Sequence, residues 1–200
     1  QTLASDTAAS GIAGATWASG GNLNTTRGFS GRTGAGPQTA AQAAAGFGPP
    51  AVGNVEHYDG SSWTETTDVN TARTAATHGG IQTSSLITGG STALSVTEEW
   101  NGSAWTEVND LNTGRRQLAM STNGNAEGAI AFGGYAPPTG GPVGYTNIAE
   151  SWNGSSWTEV GDLNTSRAAL TGTDASSTAA LAIAGYRGPP TADRTKFVEE

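Results

Sequence analysis

A chain of 200 residues with 17 acidic and nine basic side chains, for a formal net charge of −8, repels a phosphate backbone, which excludes nucleic acid as a partner. The absence of cysteine removes disulfides and thiolate chemistry, and the longest apolar run, 179–185, is too short to insert across a bilayer. Thirty glycines with few charges describe a turn-rich β protein of a length that one all-β domain commonly occupies.

Residues 1–11 are small and polar without a period, and are expected to form an N-terminal arm. The chain starts at Gln1 with no charged segment followed by an apolar run, from which a processed product or a piece of something longer is expected. From residue 12 onward the same phrase returns. Residues 57–73, 99–115 and 151–167 read HYDGSSWTETTDVNTAR, EWNGSAWTEVNDLNTGR and SWNGSSWTEVGDLNTSR, and residues 11–27 are a degraded copy. The anchor tryptophans Trp17, Trp63, Trp105 and Trp157 recur about every 40–50 residues, the size of one propeller blade. Arg27, Arg73, Arg115 and Arg167 each follow their tryptophan by ten positions, so the length changes fall elsewhere in the repeat.

After each arginine the pattern is short apolar runs separated by Gly, Asn and Asp, which read as strands joined by hairpins. In the second unit these are 74–78 and 84–90, in the third 117–121 and 129–135, in the fourth 168–172 and 178–186. A variable loop leads to an acidic third strand at 54–58, 96–100, 147–152 and 197–200. An Asn-Gly or Asp-Gly turn then opens a fourth strand beginning at Trp63, Trp105 or Trp157. Four antiparallel strands are the content of one propeller blade. The predicted organisation is an arm, 1–11, and a propeller, 12–200, with blades at about 24–69, 70–111, 112–163, and 164–200 completed by 12–23.

The glycine doublet of GGY at 133–135, the acidic and aromatic AESW at 149–152, the tryptophan opening WTEV at 157–160 and the turn LNTSR at 163–167 resemble the kelch repeat in that order. The resemblance runs over nearly the whole chain from residue 12. It departs at the second unit, which lacks the aromatic after Gly89 and Gly90, and at the first, which has AAGFG at 44–48. It implies an all-β, kelch-like β-propeller, here of about four four-stranded blades and closed by the N-terminal strand finishing the last blade. The kelch-containing copper oxidase of galactose is excluded, because its Cys-linked tyrosine has no cysteine to form from.

Features present in every blade are expected to be scaffold. The four tryptophans should pack between adjacent blades, and the four arginines should bond carbonyls of the inter-blade turns. Glu98, Glu99, Glu150, Glu199 and Glu200, recurring at one strand position, read as a solvated face rather than as paired carboxylates for acid and base work. His57 and His78 lie on non-equivalent strands, so no metal site, catalytic residue or cofactor is expected. Asn24, Asn101, Asn153 and Asn164 stand in N-x-Ser/Thr sequons and are candidate glycosylation positions.

The loops after the second strand differ between units and are the candidate binding surface, since recognition concentrates on loops held by a rigid scaffold. They carry Phe47, Pro49 and Pro50; Tyr135, Pro137, Pro138 and Tyr145; and Tyr186, Arg187, Pro189 and Pro190. The repeat wording is similar to that of bacteriophage virion proteins such as tail fibres and of environmental surface or filament proteins. The resemblance implies a non-enzymatic structural and binding module located on a virion or at an extracellular or cell surface. Its partners would be other virion or filament subunits, further copies of itself, or surface glycans. A carbohydrate-binding lectin or adhesin and a strand-exchanged filament subunit are the alternatives.

Overall fold

The computed structural model describes residues 19–28, 35–136, 144–173, 178–188 and 194–200. Among these residues the chain is entirely β, in four antiparallel sheets whose strands follow chain order. Sheet 1 holds β1 (Gln42–Phe47), β2 (Ala51–Tyr58) and β3 (Trp63–Thr66), and sheet 2 holds β4 (Thr77–Ile81), β5 (Ser84–Thr88), β6 (Thr97–Trp100) and β7 (Trp105–Val108). Sheet 3 holds β8 (Ala119–Thr122), β9 (Ala129–Phe132), β10 (Ala149–Trp152) and β11 (Trp157–Glu159), and sheet 4 holds β12 (Thr171–Gly172), β13 (Ala182–Ile183) and β14 (Val198–Glu199). The sheets fall within the four blade ranges read from the sequence. The first strands β4, β8 and β12 lie beside one another in that order, an arrangement compatible with propeller blades. In sheet 1 the equivalent of a first strand is marked by bridges from Gly28 to Phe47 and from Ala35 to Gln42.

Most strands are shorter than the predicted runs, but β4 keeps the predicted length three residues further on and β2 starts three residues earlier than 54. After each arginine the backbone turns left-handed at Ala75, Gln117 and Ala169, with φ of 54°, 55° and 58°, a conformation costly to a residue with a Cβ. These residues hydrogen-bond along the row of units, Gln117 N–H to Ala75 C=O and Ala169 N–H to Gln117 C=O, so the first strands β4, β8 and β12 begin only beyond them. At the other end, Gly89 and Gly133 are left-handed, with φ of 70° and 62°, and stop β5 and β9. A Cβ at Gly133 would sit 2.7 Å from the Arg167 carbonyl and 2.9 Å from Leu170, so glycine there lets the next turn come close. Sheet 1 places Ala45 at this position, against Ala76 where later units have Leu118 and Leu170.

The hairpin between third and fourth strands follows from its sequence. The side chains of Asp59, Asn101 and Asn153 accept hydrogen bonds from the N–H groups two and three residues on, the local turn that Asx residues favour. This brings Tyr58 opposite Trp63, Trp100 opposite Trp105 and Trp152 opposite Trp157, with ring centroids 5.0–5.5 Å apart. Trp105 packs on Val55 and Val69 of the preceding unit, and Trp157 packs on Leu86 and Leu111 and donates from its indole N–H to the Thr97 hydroxyl. Each buries on the order of 150–250 Å2, worth about 4–6 kcal/mol at roughly 25 cal/mol/Å2. Trp63 is only half-buried, and Trp17 lies outside the described residues.

Part of the acidic set corrects the expectation of a solvated face, while Glu200 is exposed. Glu56, Glu98 and Glu150 are fully buried and Glu199 half-buried, each paired with the arginine of the turn before it, Arg27, Arg73, Arg115 and Arg167. The Glu150 carboxylate accepts from the Arg115 guanidinium at 2.8 Å and from the Asn112 N–H and side-chain amide at 2.7 and 2.8 Å. The same asparagine contact recurs at Asn24, Asn70 and Asn164. The arginines also donate to carbonyls after the second and before the third strand, Arg115 to Gly133 and Ile148, Arg73 to Gly89 and Val96, and Arg73 Nε donates to the turn carbonyl of Thr71. Their own carbonyls accept from the previous sheet, Arg73 from Gly46, Arg115 from Gly90 and Arg167 from Gly134. Each of these three arginines is thus a staple between successive sheets. Burial pushes the Glu56 carboxyl up, but the N–H groups of Asn24 and Thr25 and the Arg27 charge outweigh it and hold it below its ordinary value.

A second polar joint ties sheet 1 to sheet 2. Buried Gln42 donates from its amide nitrogen to His57 Nε2 at 2.8 Å, and its oxygen accepts from His78 Nε2 at 3.0 Å and from the Ser85 hydroxyl at 2.7 Å. That assignment keeps His57 neutral, and burial pushes its pKa below the usual 6.5. Protonating His57 would set two donors face to face, and turning the amide round would strip His78 and Ser85 of their acceptor.

Replacing Arg115 with Met leaves Glu150 buried without its cation and should cost about 3–5 kcal/mol, read from urea unfolding followed by tryptophan emission; Arg115→Met combined with Glu150→Gln should recover part of the loss. The folded chain binds fewer protons at His57 than the unfolded chain does. The stability this site contributes is present above pH 6.5 and is lost as pH falls through the lowered value. Between about pH 7.5 and about pH 5.5 the unfolding midpoint should therefore fall, and His57→Gln should flatten the fall.

Candidate functional site

The recurring residues are consumed by the scaffold, so a site must be built from what does not recur. One end of sheets 3 and 4 carries it. Beyond β9, Tyr135 bridges Arg116 on one side and Tyr145 on the other, and beyond β13, Tyr186 bridges Ala168 and Arg194 in the same way. The loops from second to third strand thus leave the sheets as short extensions of the ladder.

Those extensions stack three phenols. The Tyr135 and Tyr145 rings meet edge to face at 5.4 Å and 87°, and Tyr145 meets Tyr186 at 5.6 Å and 61°, the geometry that the ring quadrupole favours. The Arg116 guanidinium lies 4.6 Å from the Tyr135 centroid, a cation over a π face. Gly144 makes the stack possible, since a Cβ there would stand 2.8 Å from the Tyr135 ring. All three tyrosines are half-buried. Burial pushes the Tyr145 hydroxyl up from its ordinary value, the neighbouring phenols add to the rise and Arg116 opposes it.

Beside Tyr186 the surface turns basic. Arg187, Arg194, Thr195, Lys196 and Phe197 line an open recess of about 380 Å3. The Arg187 guanidinium stands 5.8 Å from the Phe197 ring, and Phe197 is 42% exposed. The Thr195 hydroxyl is buried and has no hydrogen-bond partner.

Of the candidate residues, Tyr135, Tyr145 and Tyr186 come together, and Arg187 adjoins them in sequence and lines the recess. Phe47, 52% exposed, stands on sheet 1 with exposed Pro49 and Pro50. Pro137, Pro138, Pro189 and Pro190 lie outside the described residues. Arg116, Arg194, Lys196 and Phe197 were not singled out by the sequence reading. The available signal was departure from the repeat: Arg116 is an extra cation behind the structural Arg115, and Arg194 stands where the third unit has Tyr145.

The sequons divide. The side-chain nitrogens of Asn24 and Asn164 donate to the Glu56 and Glu199 carboxylates, so a sugar there would compete with the sheet-to-sheet joint. Asn101 and Asn153 occupy exposed hairpin tips. Among the described residues no group of three or more His, Cys, Asp and Glu side chains could hold a metal ion, and no helix is long and apolar enough to cross a membrane. No protein-family model matches the chain, and no curated protein matches it at a significant level.

Proposed function

We propose that this protein is a non-enzymatic structural and binding module. In this reading it is a kelch-like propeller of four blades that presents its tyrosine-bearing loop face to a partner on a virion, as a tail or fibre component, or in an extracellular assembly. The observation that carries the reading is a division of labour. What recurs in the units lies between sheets, as the Arg–Glu–Asn staples and the tryptophans Trp105 and Trp157 do. What does not recur, the phenol stack with Arg116 and the basic recess, gathers at one end of the sheets. A surface of half-buried aromatics with arginine has the composition of contact patches. The partners are other subunits of the assembly or further copies of this chain.

Ring closure by the N-terminal segment belongs to the same proposal, and the junction of sheets 3 and 4 supports it. Trp157 fills the slot between sheets 2 and 3. The corresponding slot between sheets 3 and 4 is a cavity of about 130 Å3, lined among others by Ile130, Phe132, Leu163, Ala182 and Glu199. Among the described residues β14 has no outer neighbour, and Val198 is 57% exposed. Asn24 and Arg27 already grip Glu56 of sheet 1, the joint that follows an outer strand in the later units. In this reading the repeat's tryptophan for that slot is Trp17. The same slot and edge filled by a neighbouring copy would give the strand-exchanged filament.

Trp17→Ala should lower the unfolding free energy by about 3–5 kcal/mol in a chain whose light-scattering mass stays monomeric at all concentrations. A mass that grows with concentration and falls in the Trp17→Ala protein would favour the filament, and an unchanged stability would reject both forms of closure. Electron microscopy of native particles or filaments, labelled with an antibody to this chain, should place it on their surface. Recovery only as a free protein inside cells would overturn the assignment.

A further inference from the structure

From the recess at Arg187, Arg194, Lys196 and Phe197 we infer that the loop face holds a binding site for a small acidic sugar, one ring bearing a carboxylate. The inference rests on the loop face being the contact surface and names a ligand class for it.

The first argument is the distribution of cations. Arg27, Arg73, Arg115 and Arg167 are each neutralised by a paired glutamate. Of the four other basic side chains among the described residues, Arg116 lies on Tyr135 and Arg187, Arg194 and Lys196 all line the one recess. No carboxylate lines it among the described residues, in a chain whose net charge is −8. Three like charges with no carboxylate among the described lining residues repel one another. An anion placed among them removes that cost.

Repeat symmetry gives the second argument. Tyr135 is bridged by Tyr145 in sheet 3, and Tyr186 is bridged by Arg194 in sheet 4. The position that completes the phenol stack in one unit carries a guanidinium in the next, so this cation departs from the scaffold pattern.

The remaining groups narrow the ligand. Phe197 offers a partly exposed apolar ring, against which the C–H face of a sugar can lie. Thr195 completes the described lining beside the cations. Arginine forks take a carboxylate in paired, charge-assisted hydrogen bonds. The recess, about 380 Å3, is of the size that receives one ring. The acidic charge of the whole molecule opposes a polyanion such as a nucleic acid far more than a singly charged ring.

Titration of the full chain with glucuronic acid and N-acetylneuraminic acid, followed by protein-observed NMR and calorimetry, is the test, with glucose and inorganic phosphate as comparison probes. Saturable binding of at least one acid at roughly millimolar affinity is expected, weakening with added salt, with glucose silent and phosphate weaker. Arg194→Tyr, which installs the residue of the equivalent position in sheet 3, should weaken binding about tenfold or more, while Thr106→Ala, on the exposed side of β7, should leave it unchanged; tryptophan emission confirms that both variants fold. Equal binding of glucose, phosphate binding as tight as the acids, insensitivity to Arg194→Tyr, or no saturation by either acid would each overturn the site. A chain that sits on the surface of its particle yet binds no acid loses only this inference. A free intracellular chain that binds the acid loses only the assignment above.

Discussion

The buried pairing of an arginine with a glutamate further along the chain is the interaction on which the other contacts depend. Two charges taken out of water cost several kcal/mol each, and such a pair is favourable only when the remaining donors and acceptors are satisfied. Here most of that satisfaction is shared among neighbours, while the Arg115 and Arg167 Nε groups are buried without an acceptor. Arg115 divides its guanidinium among Glu150 and the carbonyls of Gly133 and Ile148, and the other oxygen of Glu150 takes two bonds from Asn112. Asn112 in turn donates to the carbonyl of Trp157, which ties the pair to the strand that carries the indole. A joint of this kind tolerates little rotation, so it sets the position of one sheet against the next, and its repetition makes the four sheets alike.

Around that joint the other contacts are matters of fit. The left-handed residue ending the second strand can be glycine with a leucine opposite, as in Gly133 and Leu170, or alanine with an alanine opposite, as in Ala45 and Ala76. The His57–Gln42–His78 network exists only between sheets 1 and 2, which makes that junction the acid-sensitive one. The loop face, outside the joints, is free to change. Its phenols, arginines and basic recess differ from unit to unit while the interior hardly does.

Much of this was legible in the chain itself. A constant ten-residue step from tryptophan to arginine, an Asx-Gly turn and short apolar runs specify hairpin-linked strands because each depends on neighbours close in sequence. Strand limits were less legible, because Ala75, Gln117 and Ala169 adopt left-handed backbone that nothing in an alanine or a glutamine announces. The glutamates were misread for another reason. Their partners lie 25, 29, 32 and 35 residues away, with the variable loops between, so no fixed spacing links acid to base. A recurring Glu on a strand is ordinarily a solvated residue until a guanidinium is seen beside it.

Sequence alone determined the repeat, the β class, the four units and the split between constant interior and variable loops, since each follows from periodicity and composition. Tertiary structure decided which charges are buried, which aromatic rings meet, and that Arg187, Arg194 and Lys196 share one recess with Phe197. The physical reason is that pairing energy inside a protein depends on distance and burial, and both are set by how sheets pack rather than by the order of residues along a strand.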